Sequence, residues 1–153
     1  MGAFCQLFPD RGGAIPVDAL ATILEPVFVD LAAVALDAPA QPVEAARALA
    51  AVLADKAVTA ASGTSFGADP LGAAMRGHGV TDLGVVAEVA ALAQPLGVRA
   101  VTVDATAVHD AGASDVQELA YSLAAGVTYL RALVEAGHGV DEAAGLIDFR
   151  YAA

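Results

Sequence analysis

The sequence predicts an α/β fold in which short parallel strands alternate with helices, a (β/α) repeat equal to about half of an eight-stranded barrel. Two observations predict it: four short, largely uncharged β-prone runs are separated by longer segments with helical periodicity. The length adds a third, because a closed barrel needs roughly 200 residues or more and this chain has 153. We therefore expect a partial TIM barrel that is a fragment of a longer one.

The four predicted strands cover residues 33–37, 64–68, 99–104 and 146–151. Side chains alternate along a strand, so one set is expected to face the helices: Val34, Leu36, Val101, Val103, Ile147, Phe149 and Tyr151. The opposite set is small or polar: Ala35, Asp37, Ser65, Gly67, Thr102, Asp104, Asp148 and Arg150. A barrel interior normally holds bulky aliphatic residues. This side is therefore either a hydrogen-bonded polar core or a ligand-admitting lumen, with Ser65, Thr102 and Arg150 as candidate substrate contacts.

Two helices are predicted between these strands. The first covers residues 42–55 and begins with Pro42, which suits a first helical turn. The second is expected to have Thr81 as its N-cap and Gly97 as its terminator. Both carry apolar stripes that predict packing on the sheet.

The longest predicted helix begins at Ser114, which forms a capping box with Gln117, and ends at Gly137. Its apolar residues recur at three- and four-residue steps, which predicts that they are buried: Leu119, Leu123, Val127, Leu130 and Val134. A shorter helix is expected from Asp141. The last predicted strand follows it.

The chain is predicted to form one domain. No low-complexity tract or flexible linker divides it, so residues 15–153 are assigned to the partial barrel. Residues 1–14 are expected to be a poorly ordered N-terminal extension.

Composition excludes several classes of partner. Seven basic against 18 acidic residues give a net charge of −11, which disfavours nucleic acids and anionic membrane surfaces. No apolar run approaches the roughly 18 residues of a membrane-spanning helix. The single cysteine, Cys5, cannot form an internal disulfide, and no signal peptide is evident, so a cytoplasmic location is predicted.

A candidate active site lies at the carboxyl ends of the predicted strands. Asp37, Asp69 and Asp104 lie at or just past three successive strand ends, where barrel enzymes place catalytic groups, and His109 follows the third. Together they could perform acid/base or metal chemistry. The alternative is that these aspartates cap the next helix or pair with Arg150.

Several sequence motifs resemble a known family. They are HDAGAS at 109–114, QELA at 117–120, YLRA at 129–132 and IDFRY at 147–151, preceded by IPVDAL at 15–20 and FGADPLG at 66–72. In order and spacing they resemble the barrel of methylmalonyl-CoA mutase, above all its small subunit. The resemblance covers residues 15–153.

The resemblance implies an isomerase that rearranges a CoA thioester with adenosylcobalamin, formed by a catalytic large subunit and a small one. The large subunit has a Tyr-His pair where this chain has Thr106 and Ala107. The family's Asp-x-His-x-x-Gly cobalamin signature does not occur at His78, His109 or His138. We therefore expect a fragment of the non-catalytic small subunit that binds no cofactor or metal itself. The large subunit is its expected partner, and the CoA thioester belongs to the holoenzyme.

The alternative function is a stand-alone enzyme. In that interpretation two half-barrels assemble, and Asp37, Asp69 and Asp104 act with His109 in acid/base or metal chemistry. Turnover that depends on these side chains would distinguish it from the structural subunit.

Overall fold

A computed structural model describes residues 5–7, 15–78 and 81–152 of the chain. Its centre is a parallel sheet in which sequence order and spatial order coincide. The strands are β1 (Cys5–Leu7), β2 (Val34–Leu36), β3 (Ser65–Ala68), β4 (Arg99–Asp104) and β5 (Ile147–Arg150). Sequential parallel order is the arrangement of a (β/α) barrel, so the predicted fold class is confirmed.

Strand β1 is the one strand here that the sequence analysis did not predict. It pairs in parallel with β2, with Cys5 opposite Val34 and Leu7 opposite Leu36. It lies inside the predicted N-terminal extension, the rest of which is outside the described residues. The division into an extension and a barrel domain stays a prediction.

Helices connect the strands. They are α1 (Leu20–Leu24), α2 (Pro42–Lys56), α3 (Pro70–Met75), α4 (Gly84–Ala93), α5 (Thr106–His109), α6 (Asp115–Glu135) and α7 (Val140–Gly145), with 3₁₀ turns at Val17–Ala19 and Gln94–Leu96. Helices α2, α4, α6 and α7 pack against the strands. No helix among the described residues is long and apolar enough to cross a membrane.

The helix ends confirm most of the predicted signals. Pro42 begins α2, and Ser114 and Gln117 form the capping box of α6. The predicted N-cap at Thr81 is wrong, because α4 begins later, with Leu83 in that position. The reason is local: Asp82 Oδ1 accepts a 2.8 Å hydrogen bond from the Gly84 amide and so forms a turn ahead of the helix.

The hydrophobic core lies between the sheet and its covering helices. Strands contribute Val34, Leu36, Phe66, Val101 and Val103, and the helices contribute Leu49, Leu53, Val86, Val89 and Leu133, all buried. The predicted outward set of β2 and β4 is therefore in the core. At β5 the alternation also holds, because Phe149 lies against Gly126 of α6 while Arg150 pairs with Asp104.

The predicted buried stripe of α6 is wrong. The buried positions are instead Glu118, Ser122, Ala125, Gly126, Tyr129 and Leu133. Leu119, Leu123 and Val127 are 52%, 59% and 45% exposed, whereas Leu130 is partly buried against the core. Small residues explain the orientation: a Cβ on Gly126 would lie 2.9 Å from the Phe149 ring, so only glycine lets the helix sit this close to β5.

Candidate functional site

Four of the residues predicted from the sequence meet at one edge of the sheet. Asp37 follows β2, Asp69 follows β3, Asp104 ends β4 and Arg150 ends β5. Because the strands are parallel, their carboxyl ends lie at the same edge, where barrel enzymes place their active sites. Arg76, at the end of α3, joins the group.

Asp104 is the centre of an ion-pair network. Its Oδ2 lies 2.6 Å from Arg76 Nη2 and 3.2 Å from Arg150 Nη1. Asp104 as a whole is 4% exposed. Arg150 Nη1 also lies 3.7 Å from Asp37 Oδ2. Ion pairs thus join the ends of β2, β4 and β5. This confirms the alternative interpretation, in which the strand-end aspartates pair with Arg150.

The other oxygen of Asp104 is equally engaged. Its Oδ1 accepts hydrogen bonds from the Thr106 hydroxyl at 2.6 Å and the Thr106 amide at 3.1 Å. Burial by itself would raise the pKa of Asp104, but the Thr106 hydroxyl, Arg150 and Arg76 outweigh it, so the pKa is lowered. Asp104 is therefore held as a carboxylate.

Asp69 lies beside this network with a different set of partners. Its Oδ1 accepts hydrogen bonds from the Tyr129 hydroxyl at 2.5 Å and the Gly72 amide at 3.0 Å, and its Oδ2 accepts a weaker one from the Asp104 amide at 3.3 Å. Asp69 thereby caps α3, as the alternative interpretation of the strand-end aspartates predicted. A Cβ on residue 72 would lie 2.0 Å from the carboxylate, so the cap requires glycine there.

The pKa values of the half-buried Asp69 and the buried Asp104 are shifted in opposite directions. Burial raises the pKa of Asp69, even though Tyr129 and the two backbone amides favour its charged form, and the negative charge of Asp104 adds to the rise. Burial and the neighbouring Asp69 also raise the pKa of Tyr129, which keeps its hydroxyl proton for the hydrogen bond. The site thus holds one firmly ionised carboxylate and one that is easier to protonate.

The lumen candidates Ser65 and Thr102 contact each other. Their hydroxyl oxygens are 3.3 Å apart on neighbouring strands, and both residues are buried. Ser65 Oγ also accepts a 3.1 Å hydrogen bond from the Gly67 amide. Here the small-polar strand face is a hydrogen-bonded polar core.

His109 contacts a glutamate of α6. Its Nδ1 lies 3.2 Å from Glu118 Oε2, and its side chain is 49% exposed. Glu118 is buried and also accepts a hydrogen bond from the Ala152 amide at 3.1 Å. His109 therefore joins α5 to α6 rather than completing the strand-end cluster.

A cleft of ≈ 540 Å³ opens beside the network. Its polar lining includes Asp37, Asp69, Arg76, His78 and Asp82. Among the described residues no group of three or more His, Cys, Asp or Glu side chains could hold a metal ion. A small polar ligand in this cleft could reach Asp37 and Asp69.

Sequence reasoning missed Arg76, Thr106 and Tyr129 as members of this cluster. In the sequence Tyr129 stands out only as part of the YLRA motif at 129–132, and Arg76 belongs to none of the motifs. The sequence did contain a signal for Arg76. Asp69-Pro70 followed by Gly72 is a helix-start pattern, and Arg76 comes two helical turns after Asp69, on the same side of that helix. Nothing in the sequence indicates that Tyr129, 60 residues away, reaches Asp69.

Comparisons with known proteins identify the family of the chain. The model of the methylmalonyl-CoA mutase family matches residues 32–153. The chain is 47% identical over 147 residues to the methylmalonyl-CoA mutase small subunit of Streptomyces virginiae, covering 91% of this chain and 23% of that protein. It is 40% identical over 146 residues to a protein of Mycobacterium tuberculosis named a probable methylmalonyl-CoA mutase small subunit, covering 94% and 24%.

A shorter match adds a third relative. The small subunit of the mutase from Propionibacterium freudenreichii subsp. shermanii is 56% identical over 55 residues, which are 36% of this chain and 9% of that protein. The chain spans about a quarter of the length of the first two relatives. With its parallel sheet and sequential strand order, the chain belongs to the methylmalonyl-CoA mutase family as a homologue of the small subunit.

Proposed function

We propose that this chain is a barrel segment of the non-catalytic small subunit of an adenosylcobalamin-dependent methylmalonyl-CoA mutase. Its role is structural: it maintains part of the small-subunit barrel and supports pairing with the catalytic large subunit. In this proposal the large subunit supplies the cofactor and the CoA thioester site. The holoenzyme interconverts methylmalonyl-CoA and succinyl-CoA in the cytoplasm.

One observation carries the proposal: the strand-end carboxylates of Asp69 and Asp104 are already occupied by partners within the chain. Asp104 is bound by two guanidinium groups and Thr106, and Asp69 by Tyr129 and two amides. A catalytic acid, base or metal ligand needs a free lone pair or proton directed at a ligand. These contacts instead stabilise the junctions between strands and helices.

The residues present do not fit a cobalamin site. His109 and His138 each direct Nδ1 at a glutamate, at 3.2 Å and 3.6 Å. His78 lines the cleft, where the other polar side chains are those of Asp37, Asp69, Arg76 and Asp82 and none of them is a histidine or cysteine. We derive no step of the chemistry through this chain.

The alternative function, a stand-alone half-barrel enzyme, is favoured by a different observation. Asp69 and Asp104 lie in one site with pKa values shifted in opposite directions, the pattern of an acid/base pair, and Asp69 lines the cleft. His109 would take no part in it, because it binds Glu118. The two functions differ in whether turnover depends on the aspartates.

The test is co-purification of the full chain with a mutase large subunit, with the complex mass measured by light scattering. We expect a 1:1 complex, and Asp69→Asn or Asp104→Asn should leave the mutase activity per mole of complex unchanged. A chain that stays free of the large subunit would contradict the proposal. Turnover of a CoA thioester by the chain alone, lost in Asp69→Asn, would establish the alternative.

A further inference from the structure

The loop that joins α1 to β2, residues 25–32, presents two large apolar side chains to solvent. They are Phe28, which is 72% exposed, and Leu31, which is 75% exposed, and we call this pair the apolar tip. In the described part of the chain no other aromatic side chain is as exposed as Phe28. Large apolar side chains gain the most free energy from removal from water, so this pair is a candidate contact surface.

The backbone of the 25–32 loop is fixed by hydrogen bonds from other parts of the fold. The Lys56 ammonium, at the end of α2, donates to the carbonyl oxygens of Glu25 and Val27 at 3.0 Å and 3.1 Å. The Ala61 amide donates to the Val29 carbonyl oxygen at 2.8 Å, and Val29 is 1% exposed in the core. The apolar tip therefore belongs to a held loop, which cannot fold back onto the core without losing these contacts.

The two side chains of the apolar tip lie on one side of a single helical turn. The Phe28 carbonyl oxygen accepts hydrogen bonds from the Leu31 amide at 3.0 Å and the Ala32 amide at 2.9 Å. Residues three apart in such a turn are neighbours on its surface. Phe28 and Leu31 thus form one preorganised contact, and binding through it would cost little conformational entropy.

Acidic residues flank the apolar tip. Glu25 and Asp30 are exposed in the same loop, and residues 12–46 contain no lysine or arginine. Lys56 reaches the loop, but its ammonium is engaged by two carbonyl oxygens. A surface that matches this loop has an apolar pocket for the tip, with lysine or arginine side chains at the edge of the pocket.

We propose that the apolar tip docks into such a pocket on the catalytic large subunit. This inference rests on the proposed function and names the contact surface for the pairing of the two subunits. The loop precedes β2, whereas Asp37 follows β2 and belongs to the ion-pair network. Docking at the amino end of β2 would therefore leave the network at the carboxyl ends of the strands in place.

A second copy of the chain and an anionic membrane fit less well. A second copy would bring its own Glu25 and Asp30 and a further net charge of −11 to the contact. Anionic lipid headgroups would be repelled by the same residues. The relatives of this chain are named small subunits, which implies a large subunit as the partner that remains.

The experiment measures binding of the full chain to an immobilised mutase large subunit by surface plasmon resonance. One variant carries Phe28→Ser with Leu31→Ser. The matched control carries Leu119→Ser with Leu123→Ser, which alters two exposed leucines of α6. We expect the Kd of the tip variant to rise at least about 30-fold and that of the control to rise less than about 3-fold. Both variants should keep the thermal midpoint of the wild type, because all four side chains are exposed.

A second variant tests the charge of the partner surface. Glu25→Gln with Asp30→Asn should lower the association rate constant about tenfold at low salt and make it less sensitive to added salt. Faster association of this variant would contradict a basic surface around the pocket and overturn the inference.

A tip variant that binds as tightly as the control would overturn the inference and leave the proposed function in place. A wild-type chain that does not bind the large subunit at all would contradict the proposed function, and the assigned partner with it. Light scattering tests the second copy: a wild-type dimer that the tip variant dissociates would assign the apolar tip to self-association instead.

Discussion

The hydroxyl oxygen of Tyr129 lies 2.5 Å from Oδ1 of Asp69, although 60 residues separate them in the chain. The same hydroxyl accepts a 2.8 Å hydrogen bond from the Leu71 amide. Tyr129 thus joins the centre of α6 to the junction of β3 and α3. This contact fixes which face of α6 is turned toward the sheet.

We expect Tyr129→Phe to destabilise the fold by about 1–3 kcal/mol, because it leaves the half-buried Asp69 carboxylate and the Leu71 amide short of a partner. Tyr121→Phe is the matched control, since among the described residues the buried Tyr121 hydroxyl has no hydrogen-bond partner. Removing that hydroxyl should be neutral or stabilising. Urea unfolding of both variants measures the difference. Equal losses would show that the Asp69 contact contributes nothing specific.

Asp69 and Asp104 should make opposite contributions to the pH dependence of stability. The folded pKa of Asp69 is raised, so its contribution is fully present below the ordinary value of 3.8 and is lost as pH rises through the raised value. The folded pKa of Asp104 is lowered, so its contribution is present above 3.8 and is lost as pH falls through the lowered value.

Unfolding free energies measured from acid to neutral pH test this assignment. In Asp69→Asn we expect a smaller decline of stability as pH rises above 3.8, because the group that ionises at a cost is gone. In Asp104→Asn we expect a smaller loss of stability on acidification below 3.8. The reverse assignment of the two slopes would contradict the contacts found here.

Arg76→Ala should destabilise the chain by about 3 kcal/mol, because it removes one partner of a buried carboxylate. Arg47→Ala is the control, since the Arg47–Glu88 pair is 3.7 Å long with both side chains about 60% exposed, and its loss should be close to neutral. Thermal unfolding of both variants in low and high salt provides the measurement. A cost for Arg76→Ala no greater than for Arg47→Ala would show that the network does not stabilise the sheet edge.

Gly67→Ala should be far more harmful than Gly77→Ala, although both glycines have positive φ angles of 65° and 77°. A Cβ at residue 67 would lie 1.9 Å from the Leu36 carbonyl oxygen, whereas one at residue 77 meets nothing within 4 Å. We expect about 1 kcal/mol for Gly77→Ala from backbone strain alone, and at least about 2 kcal/mol more for Gly67→Ala. Similar unfolding midpoints for the two variants would contradict the close packing of β2 and β3.

Sequence periodicity located the strand–helix repeat because the signals for these elements are local. The four predicted strands, the start of α2 at Pro42 and the capping box at Ser114 depend on neighbouring residues alone. Strand β1 was missed because its three residues gain their strand conformation from pairing with β2. The misplaced N-cap at Thr81 shows the same limit at a helix end.

The sequence predicted which aspartates of the site lie together, but not which donors bind them. Parallel strands bring their carboxyl ends together, so Asp37, Asp69 and Asp104 could be grouped from strand positions alone. Which donors each aspartate would receive depends on loops and on α6. The sequence analysis therefore added His109, which belongs to Glu118, and omitted Arg76, which binds Asp104.

The sequence by itself determined the fold class, the strand order and the set of acidic residues at one edge of the sheet, because these follow from local periodicity and chain direction. Tertiary structure alone decided which face of α6 is buried, and which of Asp69 and Asp104 has its pKa raised and which has it lowered. Both depend on contacts between distant segments: Gly126 admits the Phe149 ring, Tyr129 reaches Asp69, and two arginines surround Asp104. Sequence periodicity identified the apolar stripe of α6, but it could not show that a different face of this helix packs on the sheet.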